Sequence, residues 1–384
     1  MATRSSIRLA ALALLVAACS GPAHPNGAGG AGGDPGGSGG EGSGGTAGHQ
    51  SGGQGGGAAG SGGSAAGSGG SAAGSGGAVG ADAAAGRDAT PKMDASPPAP
   101  DAPPGPDLSS ALDGSRLPAP PATWMEHWFE HVQNLKLVDY NDDVAIYFDS
   151  DVQGGDWIFP FMTRLWRYTK QTYDLGPEPQ NRLFAIFHQN KYGGGHPSTY
   201  FDSSHDNRNV SDCGPGPWRS PTGFSIDEPS HESGHVVEAA NNGTHESPAF
   251  AIWGDSKWMA FYQYDAYLAL GMTADAKRLF DMFTNNTDSF PRPGSHWFRD
   301  WFYPLWKDHG GAQVMVKFFK LLSLNFPRNG TSYSRSMNWG EFVHFMSGAA
   351  GTNLKDLATT AFGWPPDREA QFTKARTDFP MITY

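Results

Sequence analysis

The chain has 384 residues, a formal net charge of −11 and 53 glycines, most of which fall in its first third. An acidic chain of this kind is a poor candidate for a nucleic-acid partner, which is normally met by clustered Lys and Arg. The glycine-rich part cannot bury enough apolar area to fold, so a globular domain is expected only in the remainder.

An export signal opens the chain. Arg4 and Arg8 precede the apolar run 9–16, which is too short to span a bilayer and is typical of a secretory signal peptide. The run ends in Val-Ala-Ala-Cys, which resembles a bacterial lipobox, so Cys19 is the predicted lipidation site. This resemblance implies an exported protein, lipid-anchored to the bacterial outer membrane or cell surface, with residues 1–19 as the signal peptide.

Residues 20–119 read as a disordered tether. A Gly/Ser/Ala segment with a seven-residue repeat is followed by a Pro-rich stretch, and neither offers residues for a core. Residues 120–384 are long enough for one large domain. The predicted organisation is therefore a folded domain held away from a membrane surface.

Predicted elements precede the chemically informative region. A first helix is expected at 124–134, with Thr123 and Glu126 as a capping box. Strands are expected at 144–148 and 183–187, a helix at 157–173, and an edge strand at 198–201. Within the first helix, His127-Trp-Phe-Glu-His131 also matches the inverted zinc motif H-x-x-E-H, but no strand precedes it, and a packing helix is the favoured interpretation.

A stronger metal-binding pattern follows. His231-Glu232-Ser-Gly-His235 places two imidazoles four residues apart, on one face of a predicted helix that ends at Asn241-Asn242-Gly243. Both rings can reach one ion, and Glu232 would lie beside that ion as a proton acceptor. The pattern predicts a zinc site.

Catalytic zinc commonly has three protein ligands and one open position. Asp255, twenty residues after His235, is the predicted third ligand, at the start of a long second helix ending near Gly271. Glu238, three residues after His235, is an alternative ligand or a partner of a ligand histidine, and Glu246 in the connecting loop is a further alternative.

This layout resembles the gluzincins, the thermolysin-like zinc peptidases in which a second helix carries a glutamate ligand at this spacing. The aspartate at this position is similar to the third ligand of the aspzincins, whose G-T-x-D-x-x-Y-G signature the chain lacks. The metzincin extension is absent, because Glu238 and Asn241 occupy its glycine and third-histidine positions. The resemblance implies an α+β zincin-like domain, with a small mixed sheet, an active-site helix and a mainly helical C-terminal half with helices near 312–324, 339–346 and 354–364.

The resemblance also implies a function: hydrolysis of peptide bonds in a peptide or protein substrate by one Zn²⁺ ion, with Glu232 as general base. His296 and Tyr303 are candidate donors to the developing oxyanion. A monomer is expected. The alternative is a non-catalytic surface lipoprotein that binds a polymer or partner and keeps the zinc as a structural staple, with a fourth protein ligand in place of water.

Overall fold

A computed structural model describes residues 116–384; the predicted leader, Cys19 and all but the last four residues of the predicted tether lie outside the described residues. Within 116–384 the architecture is mixed α/β, with a six-stranded sheet, a two-stranded hairpin and ten α-helices. The predicted mixed sheet followed by a helical half is confirmed at this level.

The strands, in chain order, are β1 Thr123–Met125, β2 Asn134–Tyr140, β3 Val144–Phe148, β4 Leu183–Phe187, β5 Gly194–Ser198, β6 Asn209–Gly214, β7 Arg328–Asn329 and β8 Ser332–Tyr333. The helices are α1 Ile158–Thr172, α2 Phe224–Ala240, α3 Phe250–Trp253, α4 Lys257–Ala269, α5 Thr273–Asn285, α6 Tyr303–Asp308, α7 Ala312–Asn325, α8 Trp339–Ala350, α9 Lys355–Phe362 and α10 Pro366–Asp378. In the described part of the chain, no helix is long and apolar enough to cross a membrane.

The sheet has the order β1-β2-β3-β4-β6-β5. Its centre is parallel, because β3 pairs with β4 and β4 with β6 in the same direction. The flanking strands β1, β2 and β5 run antiparallel to their neighbours. Strand β5 therefore forms one edge of the sheet, directly beside the strand that leads into α2.

Alternation along the central strands divides their side chains between two faces. One face carries Val144, Leu183 and Cys213 and packs in the main core with α1 and α2. The other face carries Ala145, Ile186 and Val210 and packs in a smaller core with Trp124 and Trp128. Helix α2 and the segment around Trp128 thus lie on opposite sides of the sheet.

The predicted first helix is wrong. Residues 123–125 pair with β2 instead, and the chain then turns through Phe129, whose φ is +50°. Trp124 and Trp128 are both buried against the sheet, and this tertiary packing overrides a helical pattern that local propensity alone would favour. The edge strand is correct in kind but lies at 194–198 rather than 198–201.

The remaining predicted elements agree closely with the structure, with one difference near the metal motif. The helix that contains the motif runs from Phe224 to Ala240 and stops at Asn241 as predicted, where the following Asn242 adopts φ +51°. The long second helix is interrupted: Gly254 (φ +60°) separates α3 from α4, and Asp255 lies in that turn.

Candidate metal centre

Helix α2 presents the two motif histidines to a common point. The Nε2 atoms of His231 and His235 are 3.2 Å apart, as expected for residues one turn apart with rings turned to the same side. Both side chains are largely buried, with 14% and 8% of their area exposed. At this distance one ring can donate an N–H to the other, and two neutral rings so placed can also bind one shared cation.

Asp255 completes a group of three. Its carboxylate oxygens lie 3.3 Å from His235 Nε2 and 3.8 Å from His231 Nε2. All three ligand atoms fall within 4.8 Å of one another, close enough to hold one metal ion. We call His231, His235 and Asp255 the metal triad. The side chain of Asp255 is 39% exposed, so the triad is open to solvent on that side.

Gly234, inside the motif, sets the approach of Asp255. A Cβ atom at Gly234 would lie 2.5 Å from Sδ of Met259 and 2.9 Å from Cδ1 of Tyr262, so α4 packs directly on the α2 backbone here. Trp258 strengthens this contact by donating from Nε1 to the Gly234 carbonyl at 3.3 Å. Only glycine permits this spacing, which brings the turn before α4 to the two histidines.

Glu238 supports a ligand rather than joining the triad. Its Oε2 lies 3.4 Å from Nδ1 of His235, the ring nitrogen that faces away from Asp255. Its Oε1 accepts a hydrogen bond of 2.5 Å from Nε1 of Trp253. A carboxylate in this place fixes the orientation of the imidazole and raises its basicity toward a metal. Glu238 was predicted either to bind the metal or to support a ligand histidine, and the geometry favours the supporting role.

Glu232 is 1% exposed, and its Oε2 has no hydrogen-bond partner among the described residues. It fits against the edge strand because Gly195 has no side chain: a Cβ there would lie 2.6 Å from Cγ of Glu232. Burial raises the pKa of Glu232 well above its usual value, since a carboxylate loses its hydration there. Glu232 is thus a buried carboxyl group with a free oxygen and an affinity for a proton.

Glu228, one turn earlier on α2, was not singled out by the sequence. It is 6% exposed, and burial, followed by the charges of Asp227 and Asp255, raises its pKa to about 7. Its Oε1 is also without a hydrogen-bond partner among the described residues. This side of α2 therefore holds two buried carboxyl groups, and a nearby cation would favour their charged forms.

The two histidines of the triad differ in their pKa values. Burial, and then the charge of His235, lower the pKa of His231 to about 3. Burial also disfavours the charged form of His235, but hydrogen bonds with Asp255 and Glu238 outweigh it and raise its pKa to about 10. His231 is therefore neutral, the form that binds zinc, whereas His235 would release a proton on binding an ion. The nitrogen and oxygen ligands of the triad fit Zn²⁺.

Within residues 116–384, none of the other predicted residues makes a hydrogen bond, ion pair or ring contact with the triad. Glu246 is exposed, and its backbone, with φ +66°, closes the loop after α2 by donating to the Ala239 carbonyl. The ring of Tyr303 packs on Phe280 and Tyr264 in an aromatic cluster. His296 is half-buried, with Nδ1 unpartnered among the described residues. The structure does not bring Glu246 or Tyr303 to the triad through any contact in residues 116–384.

A second group of metal-ligand residues lies on the other face of the sheet. Glu126, His131, His188 and Asp212 are all buried, and their ligand atoms lie close enough together to bind one ion. We call these residues the four-ligand group. The H-x-x-E-H pattern contributes only His131 to it, because His127 lies near exposed Asp206 and Glu130 is exposed.

No local sequence pattern predicts the four-ligand group. Glu126 was interpreted as part of a helix cap, His188 follows β4 directly, and Asp212 lies in β6, a strand that the polar segment Asn-Val-Ser-Asp-Cys-Gly did not reveal. The polar residues that directly follow the strand at 183–187 were the available signal for this group.

Comparisons with known proteins add no identification: no family model, no curated protein and no solved structure matches the chain.

Proposed function

We propose that the chain is a zinc-dependent hydrolase of peptide bonds in which Glu232 is the general base. The observation that best supports this is a buried carboxyl group with an unpaired oxygen, next in sequence to one ligand of a three-donor metal triad. The proposal includes a zincin-like arrangement, with the motif helix packed under a mixed sheet and a helical C-terminal half. The predicted leader and Cys19 would place this activity outside the cytoplasm.

The triad's composition favours catalysis over a purely structural zinc. A structural site closes all four positions with protein ligands, whereas a catalytic site keeps one open. Within residues 116–384, three side chains form the triad, and Asp255 exposes one side of it to solvent. This contrast argues against the alternative of a non-catalytic lipoprotein with a structural staple at His231 and His235.

Each residue then has a defined task. A zinc ion held by three ligands would keep one position open and would supply Lewis acidity, which lowers the pKa of a water and polarises a carbonyl. His231 and His235 would hold the ion as neutral imidazoles, with His235 releasing its proton on binding, and Asp255 would offset part of the charge of the ion. Glu232 accepts the proton of the attacking water at its carboxylate and delivers it to the leaving nitrogen. Its raised pKa favours the protonated form, so a nearby cation would be needed to keep it ionised for the first half of that transfer.

The edge strand β5 is suited to hold a substrate. It lies at the end of the sheet, and Gly195 contacts the side chain of Glu232 directly. An extended peptide can add to such an edge through backbone hydrogen bonds, which bind without regard to side-chain identity. A peptide in that position would run past the general base. We therefore propose an extended peptide or unfolded protein segment as the substrate.

The test is cleavage by the full chain. The zinc-loaded protein is incubated with an unfolded protein of known sequence, and new termini are identified by mass spectrometry. We expect cleavage that stops when a chelator removes zinc and returns when zinc is added, because the open metal position is needed for each turnover. Cleavage that survives complete removal of zinc would contradict the proposal, as would a zinc-loaded chain that cuts no member of a broad peptide library.

A further inference from the structure

We propose that Glu126, His131, His188 and Asp212 form a second zinc site, one with four protein ligands that fastens the start of the folded domain to the sheet. This proposal does not depend on the hydrolysis proposed above, because the two groups lie on opposite faces of the sheet. It also revises the expectation of a single ion.

The four side chains lie close enough together to hold one ion, with one ligand atom of each within 4.8 Å of the others. His188 Nε2 lies 2.9 Å from Glu126 Oε1 and 3.1 Å from Asp212 Oδ1. His131 Nδ1 lies 3.5 Å from the same glutamate oxygen and 3.1 Å from Asp212 Oδ2. Ligands about 2.0–2.1 Å from a tetrahedral zinc are separated from one another by about 3.3 Å. The observed separations bracket that value.

Apart from one another, the four ligand atoms have no polar partners within the described residues. Glu126 Oε1, His131 Nδ1, His188 Nε2 and Asp212 Oδ1 are all fully enclosed, and none makes a hydrogen bond of acceptable geometry within the described residues. The four side chains have between 0% and 5% of their residue area exposed. Buried polar atoms are normally hydrogen-bonded, and orphans of this kind point to an ion or water between them. Here all four point at one another.

The charge of the group suits a divalent ion. Two carboxylates and two neutral imidazoles carry −2, which a Zn²⁺ ion would neutralise, so the enclosed site would hold no net charge. Nitrogen ligands disfavour calcium and magnesium, which prefer oxygen, whereas zinc binds both His nitrogen and carboxylate oxygen and is almost always four-coordinate in structural sites. Without an ion, the carboxylates would instead hold protonated histidines, as a buried ion-pair network.

Outer partners hold each ligand in place. The second nitrogen of His188, Nδ1, lies 3.1 Å from Asp149 Oδ2, which also accepts a 2.6 Å hydrogen bond from Lys191. Glu126 Oε2 accepts from the backbone N–H of Gln133 at 2.9 Å. Asp212 Oδ2 accepts from Nε1 of Trp128 at 3.2 Å. A carboxylate behind a ligand histidine is the arrangement that orients metal-binding imidazoles.

The ring of His131 is also fixed, because it stacks on Tyr192 with centroids 3.5 Å apart and an interplanar angle of 11°. The ligands come from two parts of the chain. Glu126 and His131 belong to the irregular segment after β1, whereas His188 directly follows β4 and Asp212 lies in β6. An ion here would join that segment, which immediately follows the predicted tether, to the middle of the sheet. A closed, buried site of this kind stabilises a fold and offers no open position for catalysis.

The test is the zinc stoichiometry of the full chain, measured by elemental analysis and native mass spectrometry after removal of loosely bound metal. We expect two zinc ions in the wild-type protein and one in His131→Ala. The matched control is His127→Ala, which removes a half-exposed histidine from the same segment and should keep both ions. The double variant His231→Ala/His235→Ala, which leaves the four-ligand group intact, should retain one ion and still show a melting temperature that falls when a chelator is added.

These outcomes separate the two sites. A double variant that holds no zinc would overturn the proposal and identify the four-ligand group as an ion-pair network only, whether or not His131→Ala folds. If the triad failed to bind zinc, the wild type and the double variant would both hold one ion, which would contradict the proposed function and leave the second site standing. A His131→Ala protein with two ions would remove His131 from the site.

Discussion

Replacing Glu232 with glutamine is expected to lower the rate of peptide hydrolysis by about 10²–10⁴-fold while leaving the zinc content unchanged. Glutamine has nearly the same size and fits beside Gly195, where a Cβ would lie 2.6 Å from Cγ of residue 232. It cannot accept and return a proton. The loss should therefore appear in kcat rather than in KM, because proton transfer occurs only in the transition state. Steady-state kinetics and elemental analysis on the same preparation measure both quantities.

The matched control is Glu228→Gln. Glu228 lies one turn earlier on α2, is buried like Glu232, and also has an unpartnered carboxylate oxygen among the described residues. We expect its substitution to change kcat by less than about tenfold, well below the contribution of a general base. The reverse pattern, with a large loss in Glu228→Gln and near-normal rates in Glu232→Gln, would transfer the role of base to Glu228.

The second large effect is expected at Asp255. Asp255→Ala removes one of three ligands and should weaken zinc binding at the triad by more than about 100-fold, beyond the 10–100-fold typical of losing an outer partner. The fold should be little affected, because the side chain is 39% exposed and lies in a turn rather than in the core. Competition with a chelator of known affinity measures this change, and hydrolysis should be lost with the metal.

Two further substitutions rank the alternatives to Asp255. Glu238→Gln keeps the acceptor for Trp253 but weakens the support of His235, so a loss within 10–100-fold is expected. Glu246→Gln changes an exposed loop residue and should leave the affinity unchanged. If Glu246→Gln lost zinc while Asp255→Ala retained it, the loop glutamate would be the third ligand and the packing of α4 would have no part in the site.

The sequence predicts this fold best where pattern and packing agree. The strands at 144–148 and 183–187 are apolar runs buried on both faces, and α1 carries a clear apolar stripe, so their bounds follow closely from periodicity. Strand β6 could not be found in this way. It is fully buried, yet its residues are small or polar, because Ser211 faces the carbonyl of Pro229 on α2 and Asp212 faces the histidines on the other side.

The candidate site also combines residues that a local sequence pattern predicts with features that depend on tertiary packing. The sequence predicts His231, Glu232 and His235 as site residues because one helical turn fixes their relative positions. Asp255 is predicted from its spacing after His235. The interruption at Gly254 and the contact of α4 with Gly234 depend on how two helices pack, which no local pattern records. The four-ligand group depends on still longer-range folding, since 86 residues separate Glu126 from Asp212, and only the sheet brings them together.

The central claim is that His231, His235 and Asp255 hold one zinc ion with a position left open. Anomalous X-ray diffraction from zinc-loaded crystals, recorded above and below the zinc absorption edge, tests it most directly. The account predicts a zinc peak about 2.0–2.2 Å from both Nε2 atoms and a carboxylate oxygen of Asp255, with a solvent molecule or nothing at the fourth position. The absence of an anomalous zinc peak between the two imidazoles would contradict this claim, as would a fourth side chain bound to the ion at the open position.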